Sequence, residues 1–351
     1  MAARQQIVRL GIIGCGIAAN ELHWPALSQL RDRFDVAMVC NRTREKAVSF
    51  ATRIGDAYGK NVPYVLDYLE LLATPNIDAV SIMLPVERNL EVCAAAAAAG
   101  KHMMLEKPIA KDMAEAREVL GLEAKHPGLV MMVAENFRYR QVFAELADSL
   151  RKDAIGTPYF VEWKSWQLID PASNPYAQTP WRINHRYEGG FVTDAGVHYV
   201  AALRDMLGDL STVGACSACV NPAIGRMDSL AWLFRTTGKD AIPPLSGILT
   251  IGFSVHGSAS SSLTILGSRG SAVVENATLR IYADDADNPV SVADYPDGGG
   301  YVEEYVDFHQ AITTGQKPTS TLDEASKDLD AILHAIEMGQ HSNPTSAAPS
   351  Q

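Results

Sequence analysis

Residues 7–27, IVRLGIIGCGIAANELHWPAL, decide the fold. The stretch opens on a short apolar run rich in branched side chains, Ile7-Val8-Arg9-Leu10-Gly11-Ile12-Ile13, which reads as a buried parallel strand. It continues as Gly14-Cys15-Gly16-Ile17-Ala18-Ala19, a G-x-G-x-x-A turn. Gly14 allows the tight exit from the strand, Gly16 lets the backbone approach a pyrophosphate, and Ala19 lets the next helix pack close to the sheet. The helix N-terminus then offers free N–H groups and a partial positive charge to phosphate. The motif alone is a weak signal. Here its context is met, with a strand before it, a helix over about 18–30 after it, and a second strand following. Residues 14–18 (Gly14, Cys15, Gly16, Ile17 and Ala18) are therefore the expected dinucleotide turn.

The second strand, Phe34–Cys40, ends at Asn41-Arg42-Thr43-Arg44. A carboxylate at this position bonds the ribose 2′-hydroxyl of NAD, whereas an arginine accommodates the 2′-phosphate of NADP. No carboxylate is present. Arg42 offers a planar fork for phosphate and Asn41 adds hydrogen-bond donors, which favours NADP(H). The competing reading has Arg42 stacking on adenine, which permits either cofactor.

Ligands of such folds sit beyond the carboxyl ends of the strands. A buried strand at 77–84 brings Leu84, Pro85 and Asn89 to that edge. A strand at 101–105 delivers Glu106-Lys107-Pro108. A lysine there can exchange a proton with a reacting oxygen, and the bland alternative is a salt bridge closing a strand. A strand at 130–134 ends at Glu135-Asn136, where Asn136 can reach a nicotinamide amide. Further on, Glu188-Gly189-Gly190 opens a helix with Asp194 and His198 at i and i+4 on one face. The pair is either an acid–base couple at a substrate oxygen or an ordinary ion pair on a helix.

Three segments together, Gly14-x-Gly16-x-x-Ala19, His23-x-Pro25-Ala26-Leu27, and Ala98-Ala99-Gly100-Lys101-His102 leading to Glu106-Lys107-Pro108, resemble the Gfo/Idh/MocA oxidoreductases. A second signature, glycine-rich and then Asp and His, matches Asp194 and His198. The resemblance spans about 8–338. It implies a lysine beside the nicotinamide and the reacting carbon, here Lys107, with Asp194 and His198 facing it across a cleft. It also implies that Glu106, Lys107 and Pro108 border the cofactor, and that the Trp181-Arg182 pair contacts it. The family pattern often carries a further glycine where Phe191 stands, which bears on the shape of the pocket.

The implied fold is α/β: a doubly wound parallel Rossmann sheet at 1–135, then an α+β domain at 136–338 with a large open, mainly antiparallel sheet. Residues 339–351 read as a disordered tail. The implied activity is hydride transfer between NADP(H) and a small carbonyl or hydroxyl compound such as a sugar or polyol. Lys107 and His198 would move the oxygen-bound proton, and which of them is the immediate donor stays open. A non-catalytic dinucleotide-binding regulator and an imine reductase are the alternatives.

Composition narrows the partners. With 351 residues, 47% hydrophobic and 20% charged, the chain has room for two domains. A net charge of −11 argues against nucleic acid or an anionic membrane as partner. The N-terminus lacks a secretory apolar core, and no run is long enough to span a bilayer. Five scattered cysteines suggest reduced thiols in the cytoplasm. Cys216-Ser-Ala-Cys219 lies in strand-like sequence, with no second pair to complete a metal site. A wide open sheet usually meets a partner, so a homodimer or homotetramer is expected.

Overall fold

The computed structural model describes residues 6–257, 259–283, 287–296 and 298–341. It divides into two compact units. The first is Met1–Asn136 with Gly300–Ser326, and the second is Phe137–Gly299 with Lys327–Gln351.

The first unit holds a six-stranded parallel sheet in the order β3-β2-β1-β4-β5-β6. Its strands are β1 Val8–Ile13, β2 Phe34–Cys40, β3 Tyr64–Val65, β4 Ala79–Ile82, β5 His102–Glu106 and β6 Met131–Ala134. All four residues of β4 and of β6 are buried, as strands covered on both faces require. The chain order reverses between β1 and β4, so the carboxyl ends of these strands mark the crevice where such sheets take ligands.

The helix after the turn departs from the expected 18–30. Residues 19–23 form a π-turn, the following α-helix is Trp24–Leu27, and Leu27 closes it. Pro25 has no N–H to return to the preceding turn, and the helix widens just before it.

The helix Tyr301–Thr314 belongs to this unit, although the sequence reading placed it in the second domain. Aromatic packing explains its return: Phe34 stacks on Phe308 and meets Tyr305 edge-on. His309 Nε2 lies 2.7 Å from the carbonyl of Gln6, and Val133 N–H donates to the Ser320 carbonyl.

The second unit holds an eight-stranded sheet in the order β14-β13-β12-β11-β7-β10-β9-β8. Its strands are β7 Pro158–Trp166, β8 Leu210–Ala218, β9 Ser229–Thr236, β10 Ser246–Gly252, β11 Ser260–Gly267, β12 Gly270–Glu275, β13 Thr278–Ala283 and β14 Ser291–Asp294. Every pairing is antiparallel except β10 with β7. Strand β9 alternates buried and open residues along its length, so one face of the sheet is covered. On the covered side lies the helix Phe191–Leu207, where Gly196 leaves room for Ile251 and Ile332.

One buried charge cluster of this unit centres on Asp328. Arg138 and Arg204 both donate to Asp328, at 2.6 and 2.5 Å, with all three side chains nearly inaccessible. The last helix, Leu322–His341, takes in residues 339–341, so the expected tail boundary at 339 falls inside a helix. Residues 342–351 lie outside the described residues. Among the described residues, no helix is long and apolar enough to cross a membrane.

Candidate active site

In the first unit, the glycine turn is braced from beneath and open above. Gly14 has φ +106°, and a Cβ there would lie 2.2 Å from the Met83 carbonyl oxygen, so only glycine fits. Gly14 N–H donates to the Cys40 carbonyl at 2.8 Å. Cys15 N–H donates to Asn41 Oδ1 at 3.1 Å, and Asn20 Nδ2 donates to the Gly16 carbonyl at 2.9 Å. A Cβ on Gly16 would meet nothing within 4 Å. That open, half-exposed backbone, followed by Ile17 and Ala18 at the start of a helix, fits a pyrophosphate cradle.

The end of β2 divides its roles. Asn41 is committed to the main chain, accepting from Cys15 and donating to the Thr43 carbonyl at 3.1 Å. Arg42 is exposed. Burial pushes the Cys15 thiol up to about 12, and burial with the nearby Asp67 and Glu70 pushes Cys40 to about 11. Burial thus disfavours the thiolate form of both.

Leu84 and Pro85 lie half-exposed just past β4, at the same edge of the sheet. Asn89 is 1% exposed, and its Nδ2 points at the carbonyls of Glu106, Pro108 and Ile109 (3.2, 3.0 and 3.3 Å). Its amide thus fastens the Glu106-Lys107-Pro108 turn, which includes a cis Lys107–Pro108 bond. Glu106 closes β5, and one of its oxygens accepts the Lys107 main-chain N–H at 3.0 Å. The other lies 2.7 Å from His23 Nε2. Lys107 is half-exposed. Asn136, 5% exposed, opens the 3₁₀ turn Asn136–Tyr139 that follows β6.

In the second unit, Asp194 and His198 lie one turn apart on the helix Phe191–Leu207. Gly189 and Gly190, with φ +77° and +52°, turn the chain into that helix. A Cβ on Gly190 would lie 2.5 Å from His185 Nε2. Asp194 is 6% exposed and accepts from Arg182 Nε at 2.8 Å. The Arg182 guanidinium also lies 4.0 Å from the centre of the Trp181 ring and 4.9 Å from that of Tyr176. Of the Trp181-Arg182 pair, expected at the cofactor, Arg182 is also the partner of Asp194. Arg182 sits on the short helix Pro180–Ile183. His198 stacks on Phe137 with ring centres 4.8 Å apart and planes 22° from parallel. Phe191 is 4% exposed and packs against Phe253, so its ring fills the core.

Sequence reasoning missed three supports: Asn20 under the turn, Arg182 on Asp194, and the His23–Glu106 contact. The last joins residues 83 apart, and both lie in quoted motifs. Among the described residues, no cluster of His, Cys, Asp and Glu is arranged to hold a metal.

Comparison with known proteins agrees with this architecture. Residues 8–134 match the oxidoreductase family with an NAD-binding Rossmann fold, and residues 143–273 match the GFO/IDH/MocA C-terminal domain. The chain is 27% identical to dehydrogenase FPY6 of Fusarium mangiferae, covering 94% of this chain and 95% of that protein. It is 29% identical to D-apiose dehydrogenase of Paraburkholderia graminis, covering 62% and 54%. An oxidoreductase from Thermotoga maritima superimposes with TM-score 0.86 and 33% identity, covering 95% of this chain and 97% of the other. The chain belongs to the Gfo/Idh/MocA family of NAD(P)-dependent oxidoreductases.

Proposed function

We propose that this protein is an NADP(H)-dependent dehydrogenase or reductase acting on a carbonyl or hydroxyl group of a sugar, polyol or related metabolite. One observation carries the reading. The open Gly16 backbone and Lys107 lie at the carboxyl edge of the same parallel sheet, the edge where such sheets take ligands. The likeness to D-apiose dehydrogenase supports a sugar-like substrate.

When bound, the cofactor supplies or accepts the hydride. The main-chain N–H groups of Gly16, Ile17 and Ala18 would hold the pyrophosphate, on a turn that Gly14 and Cys15 brace through their own N–H groups. The exposed Arg42 reads the 2′-phosphate, and Asn136 orients the nicotinamide amide. Leu84, Pro85 and Pro108 line the edge along which the cofactor lies. Lys107 exchanges a proton with the reacting oxygen, and its place is set by Glu106 and Asn89. Asp194, which accepts from Arg182, and His198, stacked on Phe137, are the acid–base groups that the second unit offers to a substrate oxygen. The exposed Val213, Leu233 and Trp166 on the eight-stranded sheet support self-association through that sheet. The five free cysteines fit a reducing cytoplasm.

Lys107→Met tests the reading. Cofactor affinity stays near that of the wild type, while turnover of the true substrate falls about 100-fold or more. Near-normal turnover would remove Lys107 from the chemistry.

A further inference from the structure

Behind Lys107, the first unit buries more ionisable groups than its fold requires. Glu304, on the helix Tyr301–Thr314, is 0% exposed, and neither carboxyl oxygen has a hydrogen-bond partner among the described residues. One of them lies 4.0 Å from His23 Nδ1. His23, 1% exposed, faces the Tyr305 hydroxyl through Nδ1 at 3.0 Å and Glu106 through Nε2 at 2.7 Å. The Tyr305 hydroxyl in turn lies 3.1 Å from Ser81 Oγ. These groups form a chain from a sealed carboxyl to Glu106, whose side chain is 14% exposed and whose second oxygen holds the Lys107 N–H.

The contacts accommodate two charge states. With its proton on Nε2 alone, His23 donates to Glu106 and accepts from the Tyr305 hydroxyl, which takes the Ser81 hydroxyl proton in turn. With both nitrogens protonated, His23 donates to Glu106 and to the Tyr305 oxygen, and that hydroxyl turns to Ser81. A proton would pass from Glu304 to His23 once the 4.0 Å gap to Nδ1 closes to hydrogen-bond distance, leave from Nε2 to Glu106, and reach solvent from there. The ionisable groups facing the cluster are His23 after the glycine turn, Glu106 at the end of β5, Glu135 after β6, and Glu303, Glu304, Tyr301 and Tyr305 on the helix. Glu106, Glu135 and Glu303 each add to the cost of ionising Glu304, and a positive charge arriving nearby lowers that cost.

We infer that His23, Glu106 and Glu304 form a buried proton-sharing unit that releases a proton when an oxidised, positively charged nicotinamide binds beside Lys107, and keeps it when the neutral reduced form binds. The inference rests on the cofactor placement proposed above. Burial, followed by Glu106, Glu135 and Glu303, holds the Glu304 carboxyl well above the usual carboxylate range. The released proton goes to solvent, and the cofactor's oxidation state is unchanged on binding.

The test is calorimetric titration of the purified protein with NADP+ and with NADPH, each in two buffers of different ionisation enthalpy. NADP+ binding should release a proton fraction approaching one. Its affinity should rise with pH by up to about tenfold per unit, while NADPH affinity stays flat. Glu304→Gln should abolish the release and keep NADPH binding. Should that variant fold poorly, wild-type infrared difference spectra between the two complexes still decide, through loss of a protonated-carboxyl stretch with NADP+. Equal proton release for both forms, undiminished release in Glu304→Gln, or no carboxyl change between the complexes would overturn the inference. Binding of neither form would instead overturn the cofactor assignment, and this inference with it.

Discussion

Replacing Gly16 by alanine separates the demands of the fold from those of the ligand. The Gly16 backbone lies outside the left-handed region, and an added Cβ would meet nothing within 4 Å. The folded chain thus has no steric reason to reject the methyl group, and stability should stay within about 0.5 kcal/mol of the wild type. A dinucleotide pyrophosphate lying on that backbone would be pushed away. Losing one charge-assisted main-chain hydrogen bond costs about 1.5–3 kcal/mol, which is roughly a 10- to 150-fold weaker Kd. Gly14→Ala is the control. Its Cβ would sit 2.2 Å from the Met83 carbonyl oxygen at φ +106°, so it should lose more than about 2 kcal/mol of stability. Denaturant unfolding reads the first quantity, and cofactor fluorescence reads the second. A Gly16→Ala protein with wild-type affinity, or one as unstable as Gly14→Ala, would refute the placement of the pyrophosphate.

Asp328→Asn leaves the Arg138 and Arg204 guanidinium groups without their shared buried carboxylate, and should cost about 3–5 kcal/mol in urea unfolding. A loss below about 1 kcal/mol would show that water reaches the triad. Burial raises the Glu304 carboxyl well above its ordinary value of 4.5, the value that the unfolded carboxyl keeps. Its stabilising contribution is complete below that pH and is lost as pH rises toward the folded value. Glu304→Gln has no such loss, so its stability relative to wild type should rise by up to about 1.4 kcal/mol per pH unit above the ordinary carboxyl range. A difference independent of pH would mean that Glu304 is ionised in the folded protein. Asn89→Ala removes the donor that fastens the Glu106-Lys107-Pro108 turn to three carbonyls, and should cost about 1–3 kcal/mol while speeding amide exchange at Lys107. Unchanged exchange there would show that the turn holds itself.

The parallel sheet was readable because its strands are apolar on both faces and each is closed by a local signal, such as the glycines after Ile13 or Pro85 after β4. The second sheet was expected from the resemblance, and the alternate burial along β9 shows the one-sided cover such a sheet has. β14 escaped notice because it is an edge strand with no buried residue, so burial left no imprint on its side chains. The early end of the helix at Leu27 depends on how the chain widens before Pro25, which composition does not reveal. The return of Tyr301–Thr314 to the first unit was hidden for a related reason: the pairing of Phe34 with Phe308 joins residues far apart in the chain, and each alone reads only as core. The chemistry-bearing residues were legible by type, since Lys107 stands just before a proline and Asp194 and His198 follow glycines. Their supports were not, because the use of Asn41 as a brace, of Arg182 as the partner of Asp194, and of His23 as the neighbour of Glu106 depends on side-chain direction.

The measurement that tests the central claim most directly is a fluorescence titration of the purified protein with NADPH and NADH. Reading the open glycine turn and the exposed Arg42 as a cofactor site predicts saturable binding of both, with NADPH held at least about tenfold more tightly through Arg42. Equal affinities would reduce Arg42 to an adenine platform and reopen NAD-linked oxidation. Binding of neither would contradict the account from Gly14 onward.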